Sequence, residues 1–280
     1  MNRSFQLVDV FHDQPFSGNP LAVVLDASGL SAEEMQRITR WLNLPETAFL
    51  LPPTTPDADY RVRIFTLDRE MPFAGHPTLG SCHAWLAAGG QPHRAGEIVQ
   101  ECGAGLVPIR RDEANLAFAA PPLIRSGQVD EAKIQQIAGF LHIDRSSVVD
   151  AQWADNGPGW LVVLLESAEA VLALNPPRDY PAHIDVGVVG PYPPESPVAF
   201  ELRAFFSDHN GAIVEDPVTG SLNASTAQWL LSSGRASAPY TASQGTRLSR
   251  NGRIFISQDQ AGAVWVGGKT STLFSGVCSF

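Results

Sequence analysis

Two stretches of this chain repeat one another. Gly75 and Gly220 each open a helical run that is poor in charge, and Gly89 and Gly234 close these runs at the same spacing of 14 residues (89 − 75 and 234 − 220). Aligned without gaps, Ser221 falls opposite His76, Leu230 opposite Trp85 and Leu231 opposite Leu86. Leu79, Cys82, Ala84, Trp85, Leu86 and Ala87 leave the first helix little polar face, and Leu222, Ala224, Ala227, Trp229, Leu230 and Leu231 do the same for the second. A helix that is apolar nearly all round is normally buried. Two of them point to two homologous halves, each wrapping a sheet around one central helix, although two unrelated buried helices can share such a spacing by chance.

The rest of the chain reads mostly as strands. Phe5–Phe11, Leu21–Leu25, Thr47–Leu51 and Tyr60–Leu67 are strand-like, and Tyr60–Phe65 alternates in character as a half-buried strand should. Ser31 caps a helix over 31–42, with Glu34 three residues on and an apolar face of Met35, Ile38 and Leu42. A loop over Met71–Pro77 leads into the first central helix. After Pro121-Pro122 the style repeats: helices at Asp130–Leu141 and Glu166–Leu174, strands at Ser146–Ala151, Trp160–Leu165, Ile184–Val189 and Ala199–Phe206, and a loop over Ser207–Gly220 before the second central helix. Residues 1–120 and 121–280 are therefore expected as the two halves, with the strand-rich extreme C-terminus free to pack back on the first.

With 280 residues, 44% of them hydrophobic, the chain can bury one large core or two smaller ones. A net charge of −10 argues against nucleic acid and anionic membranes as partners, but not against a small anionic substrate held at a locally positive site. Cys82, Cys102 and Cys278 fit neither a zinc cluster nor a disulfide framework, so a reducing cytoplasm is the expected location. The N-terminal segment has no apolar signal region, and runs such as Trp160 to Leu165 are too short to span a bilayer.

The helix starts are where chemistry is expected. A helix N-terminus presents unpaired N–H groups and partial positive charge, and a glycine there lets an anion approach the backbone. Phe73-Ala-Gly-His-Pro-Thr and Asp216-Pro-Val-Thr-Gly-Ser both meet this requirement, so a carboxylate can be held without arginine; ordinary capping by Thr78 or Ser221 would also account for the loops. Glu46, between a helix and a strand, and Asp216 and His76, beside the two helix starts, are candidate acids and bases. Taken alone, Glu46 also reads as a solvated charge or a cap, and Asp216 as an Asx-turn before Pro217.

Six ordered motifs resemble the PhzF-like family. They are Asp9-Val-Phe with Pro15-Phe-Ser-Gly-Asn-Pro-Leu-Ala-Val-Val; Asn43-Leu-Pro-Glu-Thr-Ala-Phe; Arg63-Ile-Phe-Thr with Glu70-Met-Pro-Phe-Ala-Gly-His-Pro-Thr-Leu-Gly; Gly157-Pro-Gly-Trp; Glu215-Asp-Pro-Val-Thr-Gly-Ser-Leu-Asn-Ala; and Gln244-Gly. The resemblance implies an α+β protein of the diaminopimelate-epimerase fold, with two pseudosymmetric halves and the active site between them. It implies Glu46 as the general acid/base, His76 and Asp216 as its catalytic partners, and Asn19, Gly75, Gly220 and Ser221 as substrate-binding residues. It further implies a homodimer and a proton-shifting isomerisation of the kind performed on a dihydro-hydroxyanthranilate. The thiol-dependent racemases of this fold carry a cysteine at each helix start; neither loop has one here, and Cys82 lies about two turns into a helix, as an inert core thiol would.

Other signals lead elsewhere and fail. Gly267-Gly-Lys-Thr lacks the glycine that a phosphate-binding loop needs at Ala263 and has no room for the helix that should follow. The only lysines are Lys133, on a polar helix face, and Lys269, in a turn, which gives pyridoxal phosphate no good anchor. His76 and His83 lack metal-ligand spacing. The expectation is an enzyme that uses no cofactor and no metal and acts on a small carboxylate. Its rivals are an epimerase or racemase acting on another small acid, and a silent binding protein of the same fold.

Overall fold

The computed structural model describes residues 2–111, 115–208 and 210–279. The chain divides into two units, one of residues 1–119 with 267–280, the other of residues 120–266. In the first unit the chain runs β1 (Asn2–Val10), β2 (Asn19–Val24), α1 (Ala32–Leu42), β3 (Glu46–Leu51), β4 (Tyr60–Thr66), β5 (Glu70–Met71), α2 (Gly75–Ala87), β6 (Glu97–Cys102), β7 (Gly105–Arg111) and β8 (Leu116–Ala119). The second unit holds β9 (Arg125–Gln128), α3 (Glu131–Leu141), β10 (Val148–Asp155), β11 (Leu161–Leu165), α4 (Ala168–Ala173), β12 (Asp185–Pro191), β13 (Phe200–Ser207), β14 (Ile213–Asp216), α5 (Gly220–Ser232), β15 (Tyr240–Gln244) and β16 (Gly252–Gln258). The chain leaves this unit within β17 (Val264–Gly268) and ends in β18 (Thr270–Ser279) of the first.

Strand pairing follows one scheme in both units. In the first, β1–β2 is antiparallel, β2–β3 parallel and β3–β4 antiparallel; β4 then takes β5 antiparallel along one stretch and β6 parallel along another, and β6–β7 is antiparallel. The second unit repeats this order through β10, β11, β12, β13, β14, β15 and β16. Even the flanking strands correspond, since β18 pairs antiparallel with β1 as β9 does with β10. Two short strands were not expected. Met71 closes β5 where a loop is predicted, and β14 interrupts the predicted loop 207–220. Both are second arms of tight hairpins on β4 and β13, too short to show an apolar period.

The two charge-poor helices lie among these strands. In the first unit α2 packs against β1, β2, β3, β4, β6, β8 and β18, and every residue from Gly75 to Cys82 is buried. In the second unit α5 packs on β10 and β16, and its Leu222 side chain fills the space above Gly187 of β12, where a Cβ has no room. Smaller cores complete each unit. Met35 of α1 meets Val24, Phe49 and Phe65, while Ile134, Ile137 and Phe140 of α3 and Val171 of α4 join the apolar side chains of β10 to β13. Among the described residues no helix is long and apolar enough to cross a membrane.

Candidate active site

In the first unit the expected residues Asn19, Glu46, Gly75 and His76 come together. Asn19 and Glu46 open the parallel neighbours β2 and β3, in which Leu21 stands opposite Glu46, and so they emerge at the same end of the sheet. Gly75 and His76 are the first two residues of α2. His76 is buried; its Nδ1 lies 3.3 Å from the Asn19 amide nitrogen and its Nε2 3.7 Å from Glu46 Oε2. Burial lowers the imidazole pKa to about 3, partly opposed by the Pro20 carbonyl. The ring is therefore neutral, and its approach to Glu46 is a polar contact rather than an ion pair. An amide nitrogen only donates, so Nδ1 accepts from Asn19 and the ring proton lies on Nε2, on the side of Glu46. The Glu46 side chain keeps 18% of its surface exposed.

The start of α2 is anchored from below. Tyr60 of β4 donates to Gln100 Oε1 of β6 at 3.0 Å, Gln100 donates to the Thr78 hydroxyl at 3.0 Å, and that hydroxyl donates to the Ala74 carbonyl at 2.9 Å. Thr78 is thus occupied as a donor and does not cap. The N-cap position belongs to Ala74, which has no side-chain acceptor.

In the second unit Asp216, Gly220 and Ser221 lie along one hairpin-to-helix turn. Asp216 closes β14 and Gly220 opens α5. Thr219, the N-cap, makes no capping bond; its hydroxyl donates to Asp216 Oδ2 at 2.5 Å. The buried Gln244 of β15 holds this turn with all of its amide. Its Oε1 accepts from Thr219 N at 3.0 Å and Asn223 Nδ2 at 2.8 Å, while its Nε2 donates to the Asp216 carbonyl at 3.1 Å and to Thr219 Oγ1 at 2.9 Å. Because an amide nitrogen only donates, Thr219 Oγ1 must accept from it and send its own proton to Asp216. Ser221 does not cap either: Trp160 Nε1 donates to its Oγ at 3.0 Å.

The other three helices are capped by side chains, α1 by Ser31, α3 by Asp130 and α4 by Ser167. Among the described α-helices only α2 and α5, the helices whose starts were expected to receive an anion, lack a side-chain bond at the N-cap. A helix start without a side-chain cap is the kind of place where an anion can meet the first N–H groups. Cys82 is enclosed and burial pushes its thiol up to about 12, which makes it inert near neutral pH. The described residues contain no group of His, Cys, Asp and Glu side chains suited to a metal ion.

A family model described as phenazine biosynthesis-like protein matches residues 8–276. The chain belongs to this family. Among curated relatives in it, antisense-enhancing sequence 1 of Schizosaccharomyces pombe is 38% identical, the match covering 98% of this chain and 97% of that protein. An uncharacterized isomerase of Pasteurella multocida is 32% identical over 95% of this chain and 90% of its own. The trans-2,3-dihydro-3-hydroxyanthranilate isomerase of Pseudomonas aeruginosa is 34% identical over 61% of this chain and 60% of its own. A crystal structure of a PhzF-family phenazine biosynthesis protein from Bacillus anthracis superposes over the full length of both chains with a TM-score of 0.83 at 21% identity. A hydroxyproline epimerase from Agrobacterium vitis superposes with a TM-score of 0.58 at 14% identity, covering 99% of this chain and 92% of that one. The fold is that of the diaminopimelate epimerases, and the enzyme is an isomerase of PhzF type.

Several residues that shape the site carried no role in the sequence reading. Gln100 and Gln244 lie 25 and 24 residues after Gly75 and Gly220 (100 − 75 and 244 − 220). This near-repeat was open to inspection, but only the strand pairing gives it meaning. Asn156 offered no signal at all, and Thr219 and Trp160 each stood inside a recognised motif without a function.

Proposed function

We propose that this family member is a cofactor-independent isomerase that moves a proton on a small cyclic or unsaturated carboxylic acid, with Glu46 as the general acid/base. The observation that carries this reading is the partly exposed Glu46 side chain, whose carboxylate lies 3.7 Å from a neutral, buried His76. Such a carboxylate can take a proton from carbon next to an unsaturated acid; the electron pair moves through the conjugated system, the double bond shifts, and the proton returns at another carbon. His76 is assigned to the proton relay as the neutral donor beside Glu46. Asp216, whose Oδ2 accepts from Thr219, is assigned to the second transfer. Gly75, Gly220 and Ser221 supply backbone and hydroxyl donors for the substrate carboxylate, and Asn19 orients His76.

The substrate to try first is trans-2,3-dihydro-3-hydroxyanthranilate, for which the Pseudomonas aeruginosa relative is named. The enzyme is incubated with it in heavy water and the product followed by proton NMR, with Glu46→Gln alongside. Isomerised, deuterated product from the wild type alone supports the reading. Full activity in Glu46→Gln removes Glu46 as the base, and exchange at a stereocentre without double-bond movement replaces isomerisation by epimerisation.

A further inference from the structure

The Gly157-Pro-Gly-Trp stretch has a place in the second unit that its sequence does not reveal. It forms the tight connection between β10 and β11. Asp155 Oδ1 accepts from the backbone N–H groups of Gly157 and Gly159, both at 2.7 Å, and these glycines take φ values of +140° and +105° that other residues rarely adopt. The loop so fixed reaches the second residue of α5 twice. Asn156 Nδ2 donates to the Ser221 carbonyl at 2.9 Å, and Trp160 Nε1 donates to the Ser221 hydroxyl at 3.0 Å.

The direction of the second bond is not open to choice. An indole N–H has no acceptor lone pair, so Ser221 Oγ must accept. Trp160 is buried and its ring cannot swing away without opening a cavity. It is also the only partner of the Ser221 hydroxyl among the described residues. One lone pair of Oγ is thereby held toward the protein, which leaves the hydroxyl proton to be given elsewhere. A serine in the first turn of a helix otherwise turns readily to its own backbone.

We propose that Trp160 is a positioning residue, which fixes the Ser221 hydroxyl as a hydrogen-bond donor to the substrate carboxylate at the uncapped start of α5. This rests on the proposed function above, which makes Ser221 a carboxylate donor. Trp160 touches no substrate and acts through Ser221. Its loss therefore matters only while the serine hydroxyl is present.

The test is a double-mutant cycle on KM for trans-2,3-dihydro-3-hydroxyanthranilate with Trp160→Phe, Ser221→Ala and both together. The benzothiophene isostere of tryptophan at position 160 accompanies them; it keeps the ring's shape, removes the N–H and guards against a folding failure in the phenylalanine variant. Trp160→Phe and the isostere are expected to raise KM about fivefold, the scale of one oriented hydrogen bond, with a smaller change in kcat. In the Ser221→Ala background the same changes at position 160 are expected to have no further effect. An equal rise in both backgrounds, or no rise from the isostere, overturns the positioning role while leaving the isomerase intact. A folded wild type that neither binds nor converts the substrate overturns the functional reading, and the role of Trp160 with it.

Discussion

At the scale of single residues, burial holds several side chains in an unusual protonation state. His76 is the sharpest case. Its pKa is about 3 in the folded protein against an ordinary 6.5, because burial penalises the cation. Below pH 6.5 the unfolded chain binds a proton that the folded chain refuses, so stability falls as pH drops, by about 1.4 kcal/mol per pH unit until the folded value is reached. His12 and His83 are also lowered by burial and act with the same sign. Comparing the wild type with His76→Asn by urea denaturation at pH 7 and pH 4.5 isolates the contribution. The variant is expected to lose distinctly less stability on acidification; equal losses would mean that His76 is protonated in the native state. Glu46, His76 and Asp216 stood out in the sequence as candidates because they sit inside motifs. The long-range hydrogen bonds at the two helix starts were not legible, since Gln244 reaches Thr219 across 25 residues and Trp160 reaches Ser221 across 61.

At the scale of elements, the hairpins that deliver the two central helices are clamped in the same way. Arg63 of β4 forms a two-pronged pair with Glu70 of β5 at 2.7 and 2.6 Å, and Arg203 of β13 forms one with Glu215 of β14 at 2.8 and 2.8 Å. Each glutamate stands five residues before its helix's opening glycine (75 − 70 and 220 − 215), and each guanidinium lies over a phenylalanine two residues on, Phe65 or Phe205. This correspondence is invisible until β5 and β14 are known to be strands, because charges 7 or 12 apart meet only through hairpin register. Burial then separates the two pairs. The Arg63 and Glu70 side chains are 21% and 41% exposed, those of Arg203 and Glu215 only 5% and 14%. Arg203 also donates to the Val171 and Leu174 carbonyls at the end of α4, at 3.2 and 2.7 Å. Removing one partner of a buried pair strands the other charge. Arg203→Met is therefore expected to lower unfolding stability by about 3–5 kcal/mol, and Arg63→Met by no more than about 1 kcal/mol. Chemical denaturation of the two variants decides; equal losses would show that burial does not set the strength of these clamps.

At the scale of the whole molecule, the gap-free repeat of two apolar helices and the ordered motifs made the fold class legible. The strand-by-strand repetition was not, because pairing is a property of partners far apart in sequence. The clearest example is β18, whose residues 270–279 pair with 2–10 at the opposite end of the chain. Its contribution is more than a ladder. Lys269 O accepts from Phe11 N at 2.8 Å, the Ser271 hydroxyl meets His12 Nε2 at 2.8 Å, and Thr270 and Thr272 meet the two ring nitrogens of His83, each at 3.0 Å. A chain ended at Gly268 would leave one edge of β1 open and strip both histidines of their hydroxyl partners, each such loss costing about 1–3 kcal/mol. Amide hydrogen exchange is expected to show protection collapsing in residues 2–111, with α2 affected as strongly as β1 because the helix packs on both β1 and β18. Strands β10 to β13, whose core is drawn from α3 and α4, are expected to keep their protection. Uniform loss across residues 2–258 would mean instead that the two units unfold as one cooperative body, and that the last strand stabilises the whole enzyme rather than the unit to which it returns.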